Sequence, residues 1–195
     1  MRQNLKKEKE VIVCRNPIFN TNFYYQNFFE KSYSFIDNNG FKFVYFGRFS
    51  KEKNLECLIL AFKSVSKSHK ATLTLIGSGE EEIKLKILAK KLGIDKSVIF
   101  LPFMKKDDLN MVLKTHHVSV LPSKCYETAS MVTIESVMNN LIPIVANHGG
   151  MKEMVNLIKF GLTFLSEDIN DLTNKMVYSI NNYNTLLNDI EDAKI

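Results

Sequence analysis

The chain has 195 residues, 45% of them apolar and 24% charged, which is enough for one domain with a proper core and excludes a disordered or fibrous class. Its net charge of +5, from 26 Lys and Arg against 21 Asp and Glu, is mild and suits an anionic ligand. No basic cluster is dense enough to argue for nucleic acid: the densest, Lys6, Lys7 and Lys9, is interrupted by Glu8 and Glu10 and reads as a solvated terminus.

Cys14, Cys57 and Cys125 are widely spaced and form no CxxC or Cys/His cluster. A reduced, cytoplasmic protein is expected, each thiol acting as a small buried hydrophobe. Residues 1–10 lack the apolar core of a signal peptide, and no apolar run approaches the ~18 residues that span a bilayer. The expectation is a soluble chain with at most a peripheral contact at the inner face of a membrane.

Residues 10–14 read as a strand, and Asn16-Pro17 as the turn that stops it. The stretch 19–33 is rich in Phe, Tyr and Asn and has no clean period, so 1–40 looks like a connector or the remnant of another domain. From residue 41 a two-beat rhythm sets in. Phe41–Phe46 is an apolar run closed by Gly47, and Leu55, Leu58, Ile59, Phe62 and Val65 recur at helical spacing. Ala71–Ile76 is a second strand, closed by Gly77-Ser78-Gly79. A charged helix follows, with Ile83, Ile87 and Leu88 expected inward and Gly93 as its stop. Val98–Leu101 is a short strand, and Leu109, Val112 and Leu113 mark a short helix. Val118–Leu121 is a strand ending at Pro122-Ser123. Ile134, Val137, Met138 and Leu141 give a helical stripe, followed by a strand at Ile142–Ala146, a helix at 151–157 and a strand at 162–165. The last helix carries Leu172, Met176, Val177 and Ile180. Strands alternating with helices through short loops predict parallel βαβ crossovers. Runs that are apolar on both faces predict a sheet covered on both sides. The fold class expected is α/β, a Rossmann-like doubly wound parallel sheet over 41–195, binding ligands at the carboxyl ends of its strands.

Four features fall at those ends. Gly47-Arg48 follows the first strand, and Lys53 is expected in the first turn of the next helix; a planar guanidinium and a point charge could converge on a diphosphate, although alone they read as a solvated pair. Gly77-Ser78-Gly79-Glu80 is too common a βα turn to carry a phosphate loop, and is read as a place of close approach. Glu127 and Glu135 stand eight residues apart (127 to 135), about two helical turns. With a helix starting near Ser130, Glu127 lies in the loop and Glu135 in the second turn. The amides of Ser130, Met131, Val132 and Thr133 would face an anion. The bland alternative is a capped surface helix with two solvated carboxylates. Gly149-Gly150 allows a close backbone approach or merely a tight helix entry. His148 reads as a loop residue, His69 as a helix end, and His116-His117 lacks further ligands at metal spacing.

Taken in order, "VYFGRFSKEKN", "LTLIGSGEEE", "VIFLPF", "VSVLPSKCYETASMVTIES" and "PIVANHGGMKEMV" resemble successive motifs of the retaining GT-B glycosyltransferases with a Glu-x7-Glu motif. The resemblance covers about residues 41 to 165, and Asn16-Pro17 resembles a dipeptide just ahead of this domain. It implies one half of a GT-B fold, the donor-binding half. The ligand implied is a nucleotide-diphosphate sugar, UDP- or GDP-linked, as substrate, with no cofactor and no metal. By resemblance Gly47, Arg48 and Lys53 meet the diphosphate, Glu135 grips the ribose, and backbone near Phe103 holds the base. Ser130, Met131 and Val132 approach sugar and phosphate. Glu127 lies beside the donor sugar, positioning it and stabilising charge in an oxocarbenium-like front-face attack, not attacking covalently.

Four departures stand out: Asn54 where the family has Gly, Ala129-Ser130 for Phe-Gly, Ser136 for Ala, and Asn140-Leu141-Ile142 where a Gly precedes the strand's Pro. The family's acceptor domain is expected to be missing, the strand at 10–14 to lack its sheet, and the closing helix to stop early at Ile195. The functional expectation is hexosyl transfer in polysaccharide or glycolipid assembly, completed by an acceptor-domain partner chain. The alternatives are a nucleotide-sugar-binding module without turnover and a remnant with an eroded pocket.

Overall fold

The computed structural model describes residues 40–127 and 130–192, with the backbone alone over 189–192. The expected strand at 10–14, the Asn16-Pro17 turn, the stretch 19–33, Cys14, Thr128 and Ala129 lie outside the described residues.

Six strands alternate with helices: β1 (Phe41–Phe46), α1 (Leu55–Val65), β2 (Ala71–Ile76), α2 (Glu82–Lys91), β3 (Val98–Leu101), α3 (Lys106–Leu113) and β4 (Val118–Leu121). Then come α4 (Met131–Met138), β5 (Ile142–Ala146), α5 (Gly149–Ile158), β6 (Leu162–Phe164), α6 (Ile169–Asn181) and α7 (Tyr183–Asp192). All strand pairs are parallel, in the order β3-β2-β1-β4-β5-β6. Phe41 is registered on Ala71, Phe43 on Val118 and Val118 on Ile142. The doubly wound sheet expected from the sequence is the one observed.

Alternation along β1 divides the interior. Phe41, Phe43 and Tyr45 enter the larger core with Leu58, Phe62, Leu73 and Leu75, while Val44 and Phe46 join Ile76, Leu113 and Leu141 on the other face. Helix α1 packs along α6 on the larger side, and α3 supplies Leu109 and Val112 to the smaller. No helix among the described residues is long and apolar enough to cross a membrane.

The inward face of α2 differs from expectation. Leu85 and Ala89 are buried, whereas Ile83 is 75% and Ile87 50% exposed. Leu88 packs against the core as expected, in one stripe with Leu85, Ala89 and Leu92, and Ile83 and Ile87 fall on the opposite side. On α4 the buried face is Thr133, Ile134 and Ser136, with Met138 exposed. Strand β6 ends at Phe164, leaving Leu165 exposed. His69 sits in the turn beyond α1, its ring 2.8 Å from Ser68 Oγ. Cys57 is buried, which pushes its thiol up to about 11, whereas Cys125 is only half-buried in the loop after β4.

The turns after β1 and β2 lean on each other. Gly47 N–H donates to the Ile76 carbonyl and Phe49 N–H to that of Ser78, both at 2.9 Å. Gly77 has φ +143, and a Cβ there would stand 1.9 Å from the Gly47 carbonyl oxygen. At Gly79 it would stand 2.3 Å from that of Phe49. The glycines after β2 serve an approach of chain to chain. Gly77→Ala adds strain and a backbone clash, so it should destabilise by about 3 kcal/mol or more and lower the melting temperature by about 6 °C or more; an unchanged melting curve would contradict this packing.

His116 is buried, with Nε2 2.9 Å from Thr74 Oγ1 and Nδ1 2.9 Å from the Val112 carbonyl. Burial pulls the imidazole from 6.5 down to about 4. The folded value lies below the unfolded one, so the stabilisation is present above 6.5 and lost as pH falls towards about 4. Wild type should lose on the order of 3 kcal/mol more than His116→Asn across that window. Parallel pH profiles of urea unfolding for the two would overturn this account.

Candidate functional site

Strand order reverses between β1 and β4. From β1 the chain moves outward through β2 and β3, and from β4 outward through β5 and β6. The connections leaving two such strands must part, opening a crevice outside their carboxyl ends. Three loops meet there: those after β1, β4 and β5.

The β1 loop supplies cations. Gly47 leaves the strand with φ +146, and Tyr45 Oη donates to the Arg48 carbonyl at 2.8 Å, fixing the turn. The Arg48 side chain is exposed. Lys53 closes a single 3-10 turn, Lys51–Lys53, and is not part of the first turn of α1 as expected; Asn54 separates the two. Asn54 takes φ 53, ψ 40, the left-handed region, which explains how it stands where the resembled motif has glycine. Asn140 does the same at φ 58.

The β4 loop brings a carboxylate to that cation. Lys53 Nζ and Glu127 Oε1 are 2.6 Å apart, side chains 27% and 23% exposed, a short charge-assisted contact between residues 74 apart in sequence. The loop is braced from both sides. Lys124 N–H donates to the Glu52 carbonyl at 2.8 Å, and Ser123 Oγ reaches the same oxygen at 3.4 Å. From the β5 side Gly150 N–H donates to the Glu127 carbonyl at 2.7 Å. Gly149, at φ +55, would bring a Cβ to 3.2 Å from both Tyr126 Cα and the Glu127 carbonyl oxygen. Both readings of the glycine pair hold: it opens α5 and admits the neighbouring loop.

Helix α4 begins at Met131 with Ser130 as its cap residue, close to the expected start. Thr133 is not free to face an anion: its N–H donates to the Ser130 carbonyl at 3.1 Å and its Oγ1 to Ser130 Oγ at 2.7 Å. The amides of Met131 and Val132 remain as first-turn donors without an intrahelical acceptor. Glu135 lies in the second turn, half-buried. Burial raises its carboxyl above the usual range, opposed by Lys106. Phe103 stands after β3 with its ring 77% exposed.

Sequence reasoning missed Tyr45 and Glu52. Tyr45, one residue before the end of β1, is a buried aromatic with a polar tip; burial, then the charges of Glu127 and Glu52, raise its phenol. Glu52 serves the β4 loop through its backbone, which no side-chain pattern reveals; its carboxylate is held low chiefly by the Ser50 hydroxyl.

The family model for glycosyl transferases group 1 matches residues 27–194. The chain belongs to that family. Among curated relatives of this group 1 glycosyltransferase domain, an uncharacterised glycosyltransferase of Methanocaldococcus jannaschii is 32% identical over 112 residues. That match covers 57% of this chain and 28% of the relative. The solved HepE protein of Anabaena in complex with UDP superposes with TM-score 0.72 at 22% identity, covering 80% of this chain and 43% of that one. The catalytic domain of cholesterol-alpha-glucosyltransferase from Helicobacter pylori gives TM-score 0.67 at 26% identity, covering 79% of this chain and 94% of that domain. The chain therefore spans less than half the length of the first two.

The raised carboxyl of Glu135 has a measurable consequence. A folded value above the unfolded one means stability is lost as pH rises through the carboxylate range. Glu135→Gln should melt above wild type at pH 7, and the gap should close on acidification. A variant melting below wild type at every pH would show that Glu135 stabilises the fold.

Proposed function

We propose that this chain binds a nucleoside-diphosphate sugar at the β1/β4 crevice and supplies the donor-binding half of a retaining hexosyl transfer. The observation that carries this reading is the Lys53–Glu127 pair beside the start of α4. A diphosphate entering there competes for Lys53 and gains Arg48 and the amides of Met131 and Val132. The same exchange releases the Glu127 carboxylate towards the sugar, where it stabilises positive charge developing at the anomeric carbon. Glu135 accepts from the ribose hydroxyls, Gly47 and Ser130 give the ligand close approach, and Phe103 borders the base.

Family membership supports glycosyl transfer, and the UDP complex of HepE supports a uridine base ahead of a guanine one. The Helicobacter pylori domain, matched over 94% of its length, supports reading residues 41–195 as one functional unit and an alpha-linked product. Transfer itself needs a second surface to orient the acceptor and exclude water, supplied by an acceptor domain in this or a partner chain. Peripheral contact with a membrane carrying that acceptor fits the same reading.

Thermal unfolding with UDP, GDP, ADP and their sugar conjugates tests the site. A ligand at about a hundred times its Kd adds about 2.7 kcal/mol, so one diphosphate should stand out. Arg48→Ala and Lys53→Ala should each weaken that diphosphate by about 1.5–3 kcal/mol. Equal affinity in wild type and both variants would remove the diphosphate assignment.

A further inference from the structure

His148 stands at the cap position of α5 in extended conformation, φ −156 and ψ 162, yet its side chain caps nothing. Ser, Thr, Asp or Asn would serve that position better. The imidazole turns instead across the crevice to the β4 loop, where Nε2 lies 3.0 Å from the Ser123 carbonyl oxygen. A carbonyl only accepts, so Nε2 is the donor of that bond. Nδ1 is buried and meets no hydrogen-bond partner among the described residues. On its face the ring packs against Tyr126, centroids 4.8 Å apart and planes tilted 41°. Tyr126 is 81% exposed and directly precedes Glu127, so its ring has no deeper core to hold it.

The segment from Ser123 to Glu127 is thus held at three levels from the β5 side: His148 on Ser123, His148 on Tyr126, and Gly150 on the Glu127 carbonyl. On its other side Glu52 and Lys53 pull on the same segment. Without the imidazole, the Ser123 carbonyl and the Tyr126 ring lose their restraint from the β5 side, and the segment is left to the Glu52 carbonyl, Lys53 and the backbone bonds of Glu127. We infer that His148 is a positioning residue for Glu127, acting through the Ser123 carbonyl and the Tyr126 ring. It governs recognition of the sugar moiety and leaves the nucleoside diphosphate alone. The inference rests on the donor-site reading above, in which Glu127 faces the sugar and Lys53 the phosphates.

The full chain is tested as wild type, His148→Ala, His148→Phe and His148→Gln, with Kd measured for UDP against UDP-glucose and for GDP against GDP-mannose. His148→Phe keeps ring packing and deletes the donor; His148→Gln restores a donor to Ser123. For whichever pair wild type binds, the preference for the sugar conjugate over the bare diphosphate should shift against the conjugate by about fivefold to tenfold in His148→Ala. His148→Phe should do the same to a smaller degree, and His148→Gln should recover most of the preference, with diphosphate affinity constant within about twofold throughout. A lower melting temperature with an unmoved preference would make His148 merely structural and overturn the inference. So would an equal loss for diphosphate and conjugate. Wild type that binds none of the four ligands would instead bring down the donor-site reading itself.

Discussion

A parallel sheet buried on both faces has to send its connections alternately outward from a reversal point, and here that point lies between β1 and β4. Everything functional follows from that constraint. The strands are mostly apolar, and the charged groups of the candidate site come from the loops that part there and from α4. Arg48 and Lys53 arrive from one loop, Glu127 from the next, and the first amides of α4 close the third side. The smaller core of Val44, Phe46, Leu113 and Leu141 lies on the α3 face of the same sheet, and Val132 packs against it. The start of α4 is therefore held by packing at Val132 as well as by the Thr133 bonds to Ser130.

Within the crevice, one contact balances the rest. Lys53 and Glu127 are both about three-quarters withdrawn from water, so each would carry a desolvation cost alone. Together they are satisfied. Anions that compete for the lysine must supply what the carboxylate supplied, which favours multiply charged ligands over single carboxylates or sulfates. The half-buried Glu135 shows the opposite economy: its burial raises the carboxyl and leaves an acceptor whose charge is best satisfied by hydroxyl donors.

The strands were legible because runs such as Phe43-Val44-Tyr45-Phe46 are apolar on both faces, and only a covered sheet accepts that. The face of α2 was legible only in part: Leu88 belongs with Leu85, Ala89 and Leu92, which pack on the core, while Ile83 and Ile87 stand on the exposed side. Helix α7 was not expected, although its buried Tyr183, Leu186 and Leu187 stand at helical spacing among Asn and Asp. Of the candidate site, Arg48, Glu127 and Glu135 stand out at strand ends and at helical spacing, but alone those positions fit a solvated surface as well, and their proposed roles come from the family resemblance. The pairing of Lys53 with Glu127 could not be found there, for it spans 74 residues and depends on strand order. Asn54 and Asn140 looked like departures from a glycine pattern, and their backbone angles show them meeting the same left-handed requirement with a different side chain.

The bracing of the Ser123–Glu127 loop by Glu52 on one flank and by His148 to Gly150 on the other bears on how such domains can be recombined. Most of those contacts end on a main-chain atom, so they depend on where the neighbouring loops run as well as on the His148 side chain that one of them carries. A β4 loop transplanted from a relative would arrive without the frame that shapes it. Exchange of donor preference between homologues should therefore be designed as a transplant of three short, sequence-distant segments moved together, and libraries that vary one loop at a time will mostly sample misaligned sites.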